Sequence, residues 1–209
     1  HFTDRRQRQM CIRDSIGPCK TRSGNYPFCE NILLPAYSLT KTISGTLGIA
    51  AYEKKYGSIS NLHVRDIVPS CSDKKWKDIT IENLSDMTTG HYKSTIYYSD
   101  EDSLASANFI FNDFSHEEKV NFSCNYYPRK KKPGAEFVYH TSDTYLIGTT
   151  LNNLLSDKEE DDFFDDLLVP IFEYHNFSEK IKFTRRTNDP REQPYTGSVS
   201  YTHLRAHET

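Results

Sequence analysis

The sequence lacks the features that define several large classes of protein. No run of eighteen apolar residues occurs, so the sequence predicts no transmembrane helix. Internal repeats, low-complexity tracts and Gly-rich phosphate loops are absent as well. The net charge of -3 offers no basic footprint for nucleic acid, which we exclude as a partner. The 209 residues, 36% of them hydrophobic, do supply enough apolar material for the core of one domain.

Cysteine is scarce, and its spacing does not indicate a metal site. Apart from Cys11 near the N-terminus, the chain contains Cys19, Cys29, Cys71 and Cys124. No two of them form a Cys-x-x-Cys pair, and the sequence predicts no metal and no cofactor. Four cysteines allow two disulfides in an exported protein. Free thiols are the alternative, and the sequence leaves the choice open.

The most informative motif is Ser38-x-x-Lys41, at the head of an apolar helical stretch. Apolar and small residues recur after it at three- and four-residue steps, which predicts a helix that ends at Gly57. Side chains three residues apart are neighbours on a helix, so we expect the Ser38 hydroxyl within hydrogen-bonding reach of the Lys41 amine. Taken alone, the serine is better explained as a plain N-cap than as a nucleophile. A second copy, Ser72-x-x-Lys75, lies in a charged stretch and is interpreted as solvated surface.

Three separate blocks of the sequence agree in order and spacing with one family. The blocks are Leu34-Pro35-Ala36-Tyr37-Ser38-Leu39-Thr40-Lys41-Thr42-Ile43, Ile79 through Gly90, and Pro133-Gly134 through Tyr139 and on to Gly148. With them the chain resembles the β-lactamase-related serine hydrolases, a family that includes class C β-lactamases, D-alanyl-D-alanine peptidases and serine esterases. The resemblance extends over roughly residues 28 to 197 and implies an α+β fold of the β-lactamase/transpeptidase type.

The resemblance implies catalytic roles for three residues: Ser38 as the acylated nucleophile, Lys41 as its partner, and Tyr139 as general base or proton shuttle. Free lysine and tyrosine both titrate near 10, so one of them must be shifted by its surroundings, and the sequence does not say which. Many relatives have an Asn two residues after the tyrosine that helps to hold the substrate amide. Thr141 stands at that position here. We predict Thr141 and His140 as substrate-binding residues, with packing or capping as the alternative for His140.

The implied function is hydrolysis of an ester, an amide or a β-lactam through a covalent acyl-enzyme. Esters are slightly favoured, because Thr141 offers a hydroxyl where relatives offer a carboxamide. The implied partner is a small-molecule or peptide-like acyl substrate. The alternative is a non-catalytic, penicillin-binding-like relative that keeps the fold and binds a ligand. Family resemblance favours a periplasmic or exported protein, and the oligomeric state is left open.

Both ends of the chain resemble translated adapter sequence from read assembly. We expect residues 1–15 and 198–209 to have no functional role, and residues 16–197 to form a partial β-lactamase-related domain. This part would be mostly the helical portion of the fold, with much of the antiparallel sheet missing. No Lys-Thr-Gly or His-x-Gly triplet, which borders the oxyanion hole in the family, follows Tyr139. We therefore expect the isolated chain to be inactive and only partly folded.

Overall fold

The structure, a computed structural model, describes residues 19–21, 24–26, 34–35, 37–156, 158, 162–177, 179–196 and 201–202. Two short antiparallel strand pairs lie among them. Strand β1 (Cys19–Thr21) pairs with β2 (Gly24–Tyr26), and β3 (Leu34–Pro35) pairs with β4 (Tyr201–Thr202). The two terminal segments are expected to have no functional role. Residues 1–15 lie outside the described part of the chain, and within residues 198–209 only β4 is described.

Helices make up most of the described chain. Helix α1 is a π-helix over Lys41–Thr46 and continues as an α-helix over Leu47–Tyr56. It is followed by α2 (Val64–Ile67), α3 (Ile81–Ser85), α4 (Leu104–Phe111), α5 (His116–Asn125) and α6 (Thr141–Leu155). Helix α7 is a π-helix over Phe164–Leu168 and continues as an α-helix over Val169–Tyr174. Short 3-10 turns occupy Pro69–Cys71, Lys74–Trp76 and Glu179–Lys182.

Helix α6 is the centre of the core. It is buried on nearly every face and packs against α1, α2, α3 and α5. Its side chains Leu146, Leu151 and Leu155 are fully buried, together with Phe163 and Phe164 of the neighbouring segment. Burial of a large apolar side chain contributes about 1.5–3 kcal/mol. The helix that follows Tyr139 is therefore held rigidly at its start as well as along its length.

Glycines let α1 and α6 approach their neighbours closely. A Cβ on Gly48 would lie 2.9 Å from Leu151 Cδ1, and one on Gly148 would lie 2.5 Å from Thr196 Cγ2. Any larger side chain would have to displace these neighbours, because real Cβ contacts are longer. The absence of a side chain at Gly48 sets how near α1 lies to α6, and its absence at Gly148 sets how near α6 lies to Thr196.

The helix ends follow local chemistry. Thr80 and Asn83 form a capping box at the start of α3, in which each side chain accepts from the other's backbone N–H. Ser115 and Glu118 do the same for α5. Gly57, with φ of 103°, lies directly after α1, where the sequence predicts the helix to end.

A disulfide joins Cys71 to Cys124 and so links the turn after α2 to α5. Trp76, fully buried beside it, donates its indole N–H to the Cys124 carbonyl at 2.8 Å. One of the two disulfides allowed by the sequence is therefore formed. The side chains of Cys11, Cys19 and Cys29 lie outside the described part of the chain.

Candidate active site

Ser38 lies in the turn that leads into α1, where it is exposed to solvent. The turn is wound by two backbone bonds: Thr40 N–H donates to the Tyr37 carbonyl and Lys41 N–H to the Ser38 carbonyl, each at 3.1 Å. Tyr37 has φ of 44°, which is strained for a bulky residue. This conformation presents the serine at the N-terminal end of the helix, where backbone N–H groups have no intrahelical acceptors.

The three predicted catalytic residues meet at the Ser38 hydroxyl. Lys41 Nζ donates to Ser38 Oγ at 3.3 Å, and Tyr139 Oη donates to the same oxygen at 2.6 Å. Lys41 Nζ also lies 4.9 Å from the centroid of the Tyr139 ring. The lysine reaches the serine because the turn before α1, closed by the bond from the Lys41 N–H to the Ser38 carbonyl, brings residues three apart together. The tyrosine comes from 101 residues away.

The surroundings shift the lysine and the tyrosine in opposite directions. Burial lowers the pKa of Lys41 to about 8, and the negative charge of Glu101 opposes this change. Burial raises the pKa of Tyr139 to about 12, against the effect of its hydrogen bond to Ser38. Near neutral pH Tyr139 is therefore a phenol that can donate a hydrogen bond. At the same pH a fraction of the Lys41 side chains is present as the neutral amine. Of the two bases left open by the sequence, these directions favour Lys41.

A groove of about 320 Å³ opens beside the three residues. Its other lining residues are the hydroxyl-bearing Thr42, Thr46, Ser85 and Thr144 and the apolar Met87, Phe137 and Ile147. Among the described residues, Lys41 is the only charged group of this lining.

Three of the five non-glycine residues with positive φ in the described part of the chain lie at or beside this groove. Met87, which lines it, has φ of 52°, and Tyr98, whose ring stacks on that of Tyr139 at 5.3 Å, has φ of 66°. Together with Tyr37, these are bulky residues in the left-handed region, a conformation that costs on the order of 1–3 kcal/mol for each residue. Such strain is typical of functional sites, and here it surrounds Ser38.

The two predicted substrate-binding residues lie beside the site but are buried. His140 Nε2 is 3.1 Å from an Asp100 carboxylate oxygen, and the imidazole stacks on the Tyr127 ring at 4.1 Å. Thr141 donates its backbone N–H to Glu101 at 3.0 Å and its hydroxyl to the same carboxylate. Neither side chain belongs to the groove lining of the described chain. Their role in binding a substrate stays a prediction.

Sequence reasoning missed Asp100 and Glu101. They lie in a polar, tyrosine-bearing loop, and nothing in its composition distinguishes these two acids. The one available signal was that three acidic residues, Asp100 to Asp102, stand together shortly after Tyr97 and Tyr98. That they are buried against the start of α6 follows from the tertiary structure alone.

The second Ser-x-x-Lys copy has a different environment. Ser72 is exposed, and Asp73 caps the following 3-10 turn by accepting from the Lys75 N–H at 2.9 Å. Lys75 Nζ donates to the Tyr127 carbonyl at 3.2 Å. Ser72 is therefore at the surface as predicted, whereas Lys75 is half-buried.

Neither a metal centre nor a membrane span occurs among the residues that the structure describes. No group of three or more His, Cys, Asp or Glu side chains in this part could hold a metal ion. No helix within the same ranges is long and apolar enough to cross a membrane.

Comparison with known proteins identifies the fold. No family model matches the sequence, and no curated protein is similar enough to count as a relative. A putative 6-aminohexanoate-dimer hydrolase from Bacillus anthracis is similar in structure, with a TM-score of 0.55 and 12% identity, over 85% of this chain and 46% of that one. A class C β-lactamase has a TM-score of 0.53 and 16% identity, over 85% of this chain and 49% of the lactamase.

The chain therefore has the β-lactamase/transpeptidase-like fold of serine hydrolases, as the sequence predicts. It spans about half the length of the solved structures that it matches. Its described part contains mostly the helices of the α+β fold. Identities of 12% and 16% show the fold and do not carry an activity from those proteins to this one.

Proposed function

We propose that the protein is a serine hydrolase in which Ser38, Lys41 and Tyr139 carry out acyl transfer. The observation that carries this proposal is the meeting of a lysine and a tyrosine at one serine hydroxyl, at 3.3 and 2.6 Å. A hydroxyl becomes a good nucleophile when an adjacent base accepts its proton. The lowered pKa of Lys41 supports this residue as that base. The shared fold adds support for a hydrolase.

The proposed reaction begins when neutral Lys41 accepts the Ser38 proton and Oγ attacks the carbonyl carbon of the substrate. The oxyanion of the tetrahedral intermediate is stabilised by the Ser38 backbone N–H at the start of α1. Tyr139 passes a proton to the leaving oxygen or nitrogen and is reprotonated by the lysine. Water then attacks the acyl-serine and Lys41 accepts the proton of the water. The carboxylic acid product leaves from Ser38 Oγ, which Tyr139 protonates, and the lysine returns its proton to the tyrosine.

We further propose that esters are better substrates than amides or β-lactams. The Thr141 hydroxyl is engaged with the buried Glu101 carboxylate, so it is not free to replace the Asn carboxamide of many relatives. An ester needs no such partner, because its leaving oxygen has no N–H to satisfy. The prediction is checked by comparing the kcat/KM of an aryl ester with that of the matching anilide and of a cephalosporin.

A fluorophosphonate, which phosphorylates activated serines with loss of fluoride, tests the nucleophile. The complete reading frame that contains this chain is labelled, and peptide mass mapping finds the modified residue. We expect the label on Ser38, its loss in Ser38→Ala, and normal labelling in Ser72→Ala, the matched control from the second Ser-x-x-Lys copy. Labelling that persists in Ser38→Ala would falsify the proposal. If the protein binds a ligand but is never labelled, the result supports the non-catalytic alternative.

The 209 residues alone provide a second test. We propose that the isolated chain has no measurable activity, because no Lys-Thr-Gly or His-x-Gly triplet, which borders the oxyanion hole in the family, follows Tyr139 in it. The measurement is the burst of nitrophenol released from a p-nitrophenyl ester at micromolar protein. A burst that is abolished by Ser38→Ala would show that the chain is active by itself.

A further inference from the structure

Two adjacent carboxylates bind the two residues that follow Tyr139. An Asp100 carboxylate oxygen is hydrogen-bonded to His140 Nε2 at 3.1 Å. Glu101 accepts two hydrogen bonds from Thr141, one from the backbone N–H at 3.0 Å and one from the hydroxyl. The two acids are only 5% and 6% exposed. We call Asp100 and Glu101 the carboxylate clamp.

The clamp also shapes the loop that carries it. Asp100 accepts from the backbone N–H groups of Lys93 at 2.8 Å and Ser94 at 3.1 Å, which closes the loop on itself. The closed loop presents Tyr98, whose ring stacks on Tyr139 at 5.3 Å with an interplanar angle of 28°. Tyr139 is thus held from two directions, by the chain that follows it and by the ring that lies against it.

Burial makes these contacts obligatory. A carboxylate removed from water loses several kcal/mol of solvation unless hydrogen bonds replace it. Glu101 finds that replacement at Thr141, in the first turn of α6, where the helix dipole also favours a negative charge. The backbone just after Tyr139 cannot move without breaking bonds that a buried charge requires.

We propose that the carboxylate clamp is a positioning device for acyl transfer: Asp100 and Glu101 fix the Tyr139 phenol against the Ser38 hydroxyl. This inference rests on the proposed function. Neither acid touches the reacting atoms, since each acts through the residue that it binds. Proton transfer requires heavy atoms within about 3 Å, and a misplacement of about 1 Å lowers a rate about 100-fold.

Glu101 has a second effect through its charge. The titratable and charged groups that face it are Lys41 of α1, Asp143 of α6, Asp102 of its own loop, and the phenols of Tyr98, Tyr127 and Tyr139. Burial, and then the Glu101 charge, raise the pKa of Asp143 well above its ordinary value. The same charge raises the pKa of Lys41 against the stronger lowering by burial. Loss of the Glu101 charge would therefore lower the pKa of Lys41 below about 8.

The test measures the second-order rate constant of fluorophosphonate acylation against pH in the complete reading frame. We expect Thr141→Val, which removes one hydroxyl, to slow acylation at least about 10-fold, and Thr141→Ser to restore it to within about 3-fold. Glu101→Gln should slow acylation and move the midpoint of the pH profile to lower pH. Asp102→Asn, at the exposed neighbouring acid, should change neither value.

The outcomes separate this inference from the proposed function. If Thr141→Val and Glu101→Gln acylate within about twofold of the unchanged protein, with the same midpoint, while Ser38→Ala is unlabelled, the clamp is only structural and the inference is overturned. If Ser38→Ala is labelled at the normal rate, the proposed function fails and the clamp fails with it. Thermal unfolding identifies any variant that does not fold. Should Glu101→Gln be unfolded, the comparison of Thr141→Val with Thr141→Ser decides.

Discussion

The Tyr139 phenol donates a hydrogen bond of 2.6 Å to Ser38 Oγ and so joins the segment before α6 to the turn before α1. The Lys41 amine reaches the same oxygen at 3.3 Å. A phenol with a pKa of about 12 keeps its proton near neutral pH. In the mechanism that we propose, Tyr139 is therefore the proton donor and relay, and Lys41 is the acceptor.

Removal of this phenol tests the relay. Tyr139→Phe keeps the ring against Tyr98 and Lys41 but cannot pass a proton to a leaving group. We expect its kcat to fall about 100-fold or more, the usual contribution of a positioned proton donor. Tyr97→Phe is the matched control, because this neighbouring tyrosine is 80% exposed. Equal activity in the two variants would remove Tyr139 from the mechanism.

The rate of acylation should rise with pH to a midpoint near 8, the pKa of Lys41. Below that pH the amine is protonated and cannot accept the Ser38 proton, so the rate should fall about tenfold for each pH unit. Lys41→Arg should be inactive throughout, since a guanidinium stays charged. Fluorophosphonate labelling between pH 5 and pH 10 measures this profile. A labelling rate that does not change across this range would contradict the assignment of Lys41 as the base.

Gly148→Ala should destabilise the fold by about 1–3 kcal/mol, the usual effect of overpacking a close contact. The added methyl group would lie 2.5 Å from Thr196 Cγ2. Thr196→Ser removes that methyl group and keeps the hydroxyl that donates to the Thr144 carbonyl. In urea unfolding, the double variant should therefore recover part of the loss. Additive effects of the two substitutions would show that the contact does not limit the packing.

The Cys71–Cys124 disulfide should contribute about 4 kcal/mol to stability, the value expected from chain entropy for a closed loop of this size. Cys71→Ser combined with Cys124→Ser should lower the Tm, and a reductant should lower the Tm of the unchanged protein but not that of the double variant. Mass mapping of an unreduced digest should recover the linked peptides. Two free thiols in protein prepared under oxidising conditions would contradict the pairing.

Much of the local structure could be predicted from the sequence. The end of α1 at Gly57 and the approach of Lys41 to Ser38 follow from helix periodicity, which depends only on neighbouring residues. The fold class was predicted from three short blocks in a fixed order, and the structural comparisons confirm it. The Cys71–Cys124 pairing could not be chosen, because spacing alone allows several connectivities.

The sequence by itself determined the helix behind Ser38 and placed Lys41 one turn along it, since three-residue spacing on a helix leaves little choice. The resemblance implied a role for Tyr139 at this serine, and the tertiary structure supplies the contact between the two hydroxyls. The tertiary structure alone decided that Asp100 and Glu101 bind the residues after Tyr139. It also decided how the two candidate bases differ, with the pKa of Lys41 lowered and that of Tyr139 raised. The reason is physical: desolvation and long-range contacts depend on what packs around a group, which no local pattern specifies.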